Sequence, residues 1–315
     1  MPMQNSNLAP IVLFVYNRLE HTKQTIAALQ KNILAEESKL FIYSDGPKNS
    51  DAAFLVEELR SYLKSITGFK NVIIVERDKN FGLAASIIDG VNEVIHKYGK
   101  VIVLEDDLIT SKYFLQFMNN TLNTYVDAEN IFSITGFSFS TSFMKFPKDY
   151  KNDVYLNIRP MSWSWATWID RWKDIDWEIK NFKEFINDPE QVEKFNHGGT
   201  DLTRMLKNQM NGKLNSWYIR WTFNAFQKNK FTIYPRVSYV NNIGHDASGV
   251  HCQEDKDNIY SHAELNNKIV DKFDKNIQLN EEIIKNFNKA FNTNYWKIFK
   301  RKTKKLFHTL QQGLK

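Results

Sequence analysis

The chain has 315 residues, of which 42% are hydrophobic and 25% charged, an ordinary globular composition that excludes disordered and collagen-like classes. Its formal charge of +6 is unevenly placed: nine basic residues follow Glu282, the last acidic one, so residues 1–282 hold 33 basic against 36 acidic residues, a net −3. A slightly acidic body with a basic end argues against a nucleic-acid-binding protein, and the length allows one large domain or two small ones.

In chain order, Met1 to Pro10 lack the basic start and apolar stretch of a secretory signal. Four short runs rich in β-branched residues then read as strands: Pro10–Tyr16, Lys39–Ser44, Asn71–Glu76 and Lys100–Glu105. Helix-period segments separate them, over roughly Leu19–Ala35, Asp51–Ile66 and Leu83–Tyr98. Near-continuous apolar strands alternating with helices predict an α/β fold, a mostly parallel Rossmann-like central sheet with helices on both faces. Such sheets hold ligands at the carboxyl ends of their strands. Those ends carry Asn17-Arg18, then Ser44-Asp45-Gly46-Pro47, then Arg77 to Leu83, then Glu105-Asp106-Asp107. One Asp-Gly turn would be ordinary turn chemistry. Four polar strand ends in succession point to a site.

The Glu105-Asp106-Asp107 triplet is the sharpest of these features. Adjacent carboxylates repel one another, a cost tolerated where a cation is held. Hard ions such as Mn2+ and Mg2+ take carboxylate oxygens together with substrate phosphates, so the triplet suits a metal–diphosphate. The alternative is an acidic turn capping a helix that begins near Ser111.

From about Asp127 the sequence is less regular and strongly aromatic. Five of eight tryptophans lie between Trp163 and Trp177, and the spacing of Trp165, Trp168 and Trp172 predicts one face of a helix. Packing on the sheet is one reading of that face. A sugar- or base-facing platform near Met161 to Trp165 is the other. Further on, Asp201 opens a helical pattern and Phe231–Val240 reads as a strand. With no glycine- or serine-rich linker, the donor half (about 8–126) and the acceptor half (about 127–260) form one unit, followed by a helical region over 261–315. The lone cysteine, Cys252, excludes a disulfide scaffold and fits a reducing compartment.

The strand end at Glu105-Asp106-Asp107, taken with Asn17-Arg18, Ser44-Asp45-Gly46 and Asn80-Phe81-Gly82-Leu83, resembles the GT-A-fold nucleotide-sugar glycosyltransferases. More narrowly, it is similar to the bacterial family-2-like enzymes and N-acetylglucosaminyltransferase I. The likeness covers about residues 9 to 252 and includes Ser162 to Trp168 and Asn242 to Cys252. It implies Mn2+ or Mg2+ on Asp107, and Asp106 facing the ribose or donor sugar. It also implies that Asp45 reads the base edge and that Arg18 meets the nucleotide or its diphosphate. The turn from Asn80 would bring the backbone close to the donor, with Gly82 as its permissive position. His251 matches a late histidine that completes the metal site or contacts the diphosphate, while for His245 and Asp246 the alternative is to stabilise their loop instead.

An inverting transferase needs a carboxylate to accept the acceptor hydroxyl's proton. The place where such enzymes carry it reads Asn215 to Trp221 here and holds no acid. Asp201 is the nearest upstream candidate, with the role of a first-turn acid favoured by the helix dipole as its alternative. Asp246 is the second. The end of the chain places Trp296, Phe299, Leu306, Leu310 and Leu314 on or near one helical face, with Lys297, Arg301, Lys304 and Lys305 largely on the other. That pattern predicts a basic amphipathic helix at an anionic membrane surface through residues 294–315, or one packed on the body. The expectation is a cytoplasmic enzyme, peripheral on the inner face of the cell membrane. It would move a sugar, UDP-linked by first choice, to a glycan or lipid-linked acceptor of a bacterial surface polysaccharide. A nucleotidyltransferase and a catalytically silent glycan-binding protein are the alternatives.

Overall fold

Residues 8–245, 264–270 and 273–292 are described by the structure, a computed structural model. Asp246, His251, Cys252 and the basic segment 294–315 lie outside the described residues. The predicted alternation is present as β1 (Ile11–Val15), α1 (Leu19–Gln30), β2 (Lys39–Ser44), α2 (Ser50–Leu63), β3 (Asn71–Glu76), α3 (Leu83–Tyr98) and β4 (Lys100–Glu105). The chain continues through β5 (Leu108–Thr110), α4 (Phe114–Thr124), β6 (Ile131–Thr135), β7 (Val154–Asn157), β8 (Trp165–Trp168), α5 (Ile169–Trp172), α6 (Phe182–Ile186) and α7 (Pro189–Asn196). It closes with α8 (Leu202–Met210), α9 (Trp217–Gln227), β9 (Phe231–Pro235), β10 (Val240–Asn242) and α10 (Glu281–Asn288).

The main sheet runs β3-β2-β1-β4-β8-β6-β9-β7. The first four neighbours are mutually parallel, so the carboxyl ends of β1 to β4 share one edge. β8 is antiparallel to both β4 and β6, and β7 is antiparallel to β9. Alternate residues of the parallel strands serve opposite cores, as period-2 geometry requires. Ile11, Leu13, Leu40, Ile42, Ile102 and Leu104 face α1, α2 and α4. Val12, Phe14, Phe41, Tyr43, Val101 and Val103 face α3 and α9. A third, smaller core joins α6, α7, α8 and the far side of α9. No described helix is long and apolar enough to cross a membrane.

Local side chains set several boundaries. α1 stops at Gln30, short of the expected Ala35, where the Asn32 side chain takes the carbonyl of Ala28 at 3.0 Å and also reaches Thr110 and Leu115 at 2.9 Å each. α3 ends on Gly99 at φ 76°, the left-handed cap that glycine adopts without strain. The expected helix near Ser111 begins instead at Phe114, because Leu108–Thr110 is drawn off as a strand pairing antiparallel with β10. The expected strand Phe231–Val240 is two strands in two sheets, β9 and β10.

The tryptophan-rich segment corrects the helical reading. Trp165 and Trp168 lie in β8, and only Trp172 is helical. Ser164, at φ 47°, breaks the extended alternation just before β8. Trp163 therefore packs on the first core while Trp165 packs in the second. There Trp165 lies 5.7 Å from Trp172, 5.2 Å from Trp217 and 4.3 Å from Trp221, ring centre to ring centre. Packing is thus the role of Trp165, Trp168 and Trp172, all of which are buried.

Candidate active site

The carboxylates after β4 converge with the residue that opens α1. Arg18, at the N-cap of α1, has no cap to make. Its guanidinium crosses the β1–β4 gap instead and bridges Asp106 and Asp107 through one nitrogen, Nη2, with the Asp107 contact at 2.8 Å. Its Nε reaches the second oxygen of Asp106 at 3.4 Å. The other terminal nitrogen, Nη1, is shielded from solvent and has no hydrogen-bond partner among the described residues. Burial works against the charge of Arg18, but Asp106 and then Asp107 outweigh it and hold the guanidinium well above its ordinary value. Thr25 of α1 donates to the Asp106 carbonyl at 2.8 Å, which pins the helix to the same turn.

The three carboxyls of the triplet have different surroundings. Burial pushes the half-buried Glu105 up to about 8, with the charges of Asp107 and Asp106 adding to it. Burial also pushes Asp106 up to about 6, against the pull of Arg18. Asp107 is held from the other side of the sheet edge. The β5–β10 ribbon places Asn242 beside it, with Nδ2 at 3.3 Å from Oδ1, and the Ile243 amide donates to its carbonyl at 2.9 Å. Gly244 follows with its α-carbon pressed onto the carboxylate: a Cβ there would collide with Oδ2 of Asp107 and lie 3.1 Å from Arg18 Nη1. His245, next along, packs edge-on against Trp163 with ring centres 5.5 Å apart.

The second and third strand ends form one unit around Asp45. Its Oδ1 accepts from the amides of Gly46 at 3.0 Å and Phe81 at 2.8 Å, and its Oδ2 from Gly82 at 2.9 Å. A carboxylate offers about four acceptor directions, so one remains, on Oδ2. Asn80 closes the unit by donating to the Gly46 carbonyl at 2.8 Å. Gly82 at φ 73° makes the turn into α3, and nothing lies within 4 Å of the place its Cβ would take. The backbone there is open to approach.

Two residues that the sequence did not single out make the strongest clamps, Arg60 at this edge and Arg159 away from it. Arg60, in the last turn of α2, donates to the carbonyls of Ser44 at 3.3 Å, Asp45 at 3.4 Å and Arg77 at 2.7 Å, which locks the ends of β2 and β3 in register. The only signal was a basic residue near a helix C-terminus. Arg159, after β7, is buried and donates from both terminal nitrogens to Asp201, at 2.7 and 3.0 Å. Its guanidinium stacks on Phe291 at 3.6 Å and its Nε bonds the Tyr218 hydroxyl at 2.9 Å. Asp201 stands at the N-cap of α8 without capping it, because both of its oxygens serve Arg159.

The structure thus brings Arg18, Asp106 and Asp107 into contact, groups Asp45, Asn80 and Gly82 in a second cluster on the same edge, and holds Asp201 in a separate ion pair. Asp246 and His251 lie outside the described residues, and among those residues no three histidine, cysteine or acidic side chains form a ready-made metal cluster.

Comparison with known proteins adds one strong finding. The sequence profile of glycosyl transferase family 2 matches residues 11–205, well over half of the chain. Solved structures are more loosely similar. Residues 1–349 of TarS from S. aureus share 11% identity at a TM-score of 0.42, over 74% of this chain and 59% of that one. Glucosyl-3-phosphoglycerate synthase from Mycobacterium tuberculosis, solved with Mn2+, UDP and glucosyl-3-phosphoglycerate, shares 12% at 0.33, over 52% of this chain and 58% of that one. Mannosyltransferase PcManGT from Pyrobaculum calidifontis, in complex with GDP-Man and Mn2+, shares 9% at 0.30, over 42% and 36%. No curated protein matches the chain significantly.

Proposed function

The chain belongs to glycosyl transferase family 2 and is a glycosyltransferase, and from that premise we propose that it moves a sugar from a nucleoside diphosphate donor to a hydroxyl of a glycan or lipid-linked acceptor. A UDP-sugar is the first donor to try, and a bacterial surface polysaccharide the first product to look for. The observation that carries this reading is Arg18: a guanidinium fixed by Asp106 and Asp107 at the strand ends, with a buried N–H nitrogen still unpartnered among the described residues. A diphosphate is the dianionic, multi-acceptor group that such a donor suits.

The residues also fit a hard divalent ion. Two carboxylates meet at a point already occupied by positive charge, and their oxygens are the donors that Mn2+ and Mg2+ prefer. Asp107, with His251, would hold the ion. A divalent ion bound there would offset charge on the departing diphosphate. In the same reading Asp106 faces the ribose or donor sugar, and the free direction on Asp45 Oδ2 accepts from the base. The Asn80–Gly82 turn lets the donor lie close to the backbone.

The acceptor hydroxyl must lose a proton as its oxygen attacks the anomeric carbon. Asp201 would have to leave a buried bidentate ion pair to take that proton. Asp246 follows His245 directly, two residues beyond the glycine that touches Asp107, and is the base in this proposal. Residues 294–315 would bring the enzyme to an anionic membrane surface, where lipid-linked acceptors reside.

Thermal-shift titration of UDP, GDP and ADP, each with and without Mn2+, tests the site directly. One nucleotide is expected to stabilise the wild type in an Mn2+-dependent way, and Asp107→Asn to abolish that dependence. If no nucleotide stabilises the wild type, or the variant responds equally, the assignment of the site is wrong.

A further inference from the structure

The contact between Arg18 and Asp107 raises a problem that the proposed function leaves open. A metal on Asp107 needs that carboxylate's oxygens, yet Nη2 of Arg18 lies 2.8 Å from Oδ2, and Oδ1 faces the Asn242 amide at 3.3 Å. Gly244 closes over the same side. One positive charge from within the chain is therefore already shared between the two carboxylates.

We infer that Arg18 is a placeholder cation: in the donor-free protein it occupies the position between Asp106 and Asp107, and it yields Asp107 to a divalent ion when a nucleoside diphosphate draws the guanidinium away. The inference rests on the metal–diphosphate reading above and adds to it an order of loading. Nη1 is what makes the exchange feasible. It is desolvated and unpartnered among the described residues, so a diphosphate oxygen reaching it gains a charge-assisted hydrogen bond that offsets the Asp107 contact given up by Nη2. Arg18 also stands at the N-cap of α1, where Thr22 donates to its carbonyl and Thr25, in the second turn, ties the helix to Asp106, so its backbone stays in place while the long side chain turns. The consequence is reciprocal coupling: the ion and the diphosphate must each raise the other's affinity by the same factor.

Mn2+ binding, read from the electron paramagnetic resonance signal of free Mn2+, tests this without turnover. The wild type is expected to bind Mn2+ weakly alone and at least about tenfold more tightly with saturating UDP or GDP, the worth of one charge-assisted hydrogen bond. Arg18→Gln is expected to bind Mn2+ alone about tenfold more tightly than the wild type, and to lose most of the nucleotide's further effect. Should Arg18→Gln fold poorly, Mn2+ is expected to restore its melting temperature, and Arg18→Lys, which keeps one charge but cannot bridge as a fork, should bind Mn2+ alone with intermediate affinity. If Arg18→Gln binds Mn2+ no better than the wild type while Asp107→Asn abolishes binding in both, the placeholder role is overturned and the metal site stands. Equal Mn2+ affinity of the wild type with and without nucleotide overturns it as well. If no form binds Mn2+ under any condition, the metal reading itself falls, and the placeholder with it.

Discussion

Asp201→Asn separates a structural carboxylate from a catalytic one. Asp201 receives two hydrogen bonds from Arg159, at 2.7 and 3.0 Å, and the guanidinium they hold is 3% exposed under the ring of Phe291. Taking the charge from one partner of such a pair strands the other in a poorly solvated place, at a cost of about 3–5 kcal/mol. The Asp201 side chain keeps 15% of its exposure. An asparagine oxygen also still accepts one bond, so the lower end, about 3 kcal/mol, applies. With ~2.1 cal/mol/K of unfolding entropy per residue over the described residues, the melting temperature should fall by about 5 °C. Calorimetry reads that fall, and donor hydrolysis measured well below the transition should keep most of the wild-type rate. A melting temperature within about 1 °C of the wild type, together with a rate lost by about a hundredfold or more, is the signature of a missing general base and would refute the reasoning.

Gly244→Ala places a Cβ against Asp107 Oδ2 and Arg18 Nη1, so it should lower turnover at least about tenfold, some 1.4 kcal/mol in barrier, while circular dichroism stays unchanged. Glu105, raised from 4.5 to about 8, is protonated in the fold where it would be ionised in the unfolded chain; its stabilisation is complete below the unfolded value and lost as pH rises through about 8. The melting temperature of the metal-free wild type should therefore fall more steeply between about pH 5 and pH 8 than that of Glu105→Gln; parallel curves would remove Glu105 from the account. Deleting residues 294–315 should abolish sedimentation with phosphatidylglycerol vesicles and leave donor hydrolysis intact, whereas unaltered sedimentation would remove the membrane role.

The first half of the chain was legible because β1, β2 and β4 are buried on both faces and read as near-continuous apolar runs, so each ends visibly where a polar residue intrudes. That rule drew attention to Arg18, Asp45, Asp106 and Asp107, from their places after β1, β2 and β4, and the resemblance supplied the roles expected of them. The second half resisted for physical reasons. Trp165, Trp168 and Trp172 fall at helical spacing by coincidence, and the positive φ at Ser164 that divides Trp163 from Trp165 has no signature in a serine. The ion pair of Asp201 was hidden because Arg159 stands 42 residues earlier, and the contact of Asn242 because Asp107 stands 135 residues away. Pairings at such separations are set by topology rather than by local pattern.

The β5–β10 ribbon has a consequence for altering the enzyme's preferences. It fixes residue 244 against Asp107, while the chain returns at Asn266, whose amide bonds the Ser238 carbonyl at 2.6 Å, just before β10 begins. The chain is thus held to one short ribbon on either side of residues 246–263, at Gly244 and at Asn266. Keeping β10, Gly244 and the Ser238–Asn266 bond is therefore the condition for altering the intervening sequence without shifting Asp107.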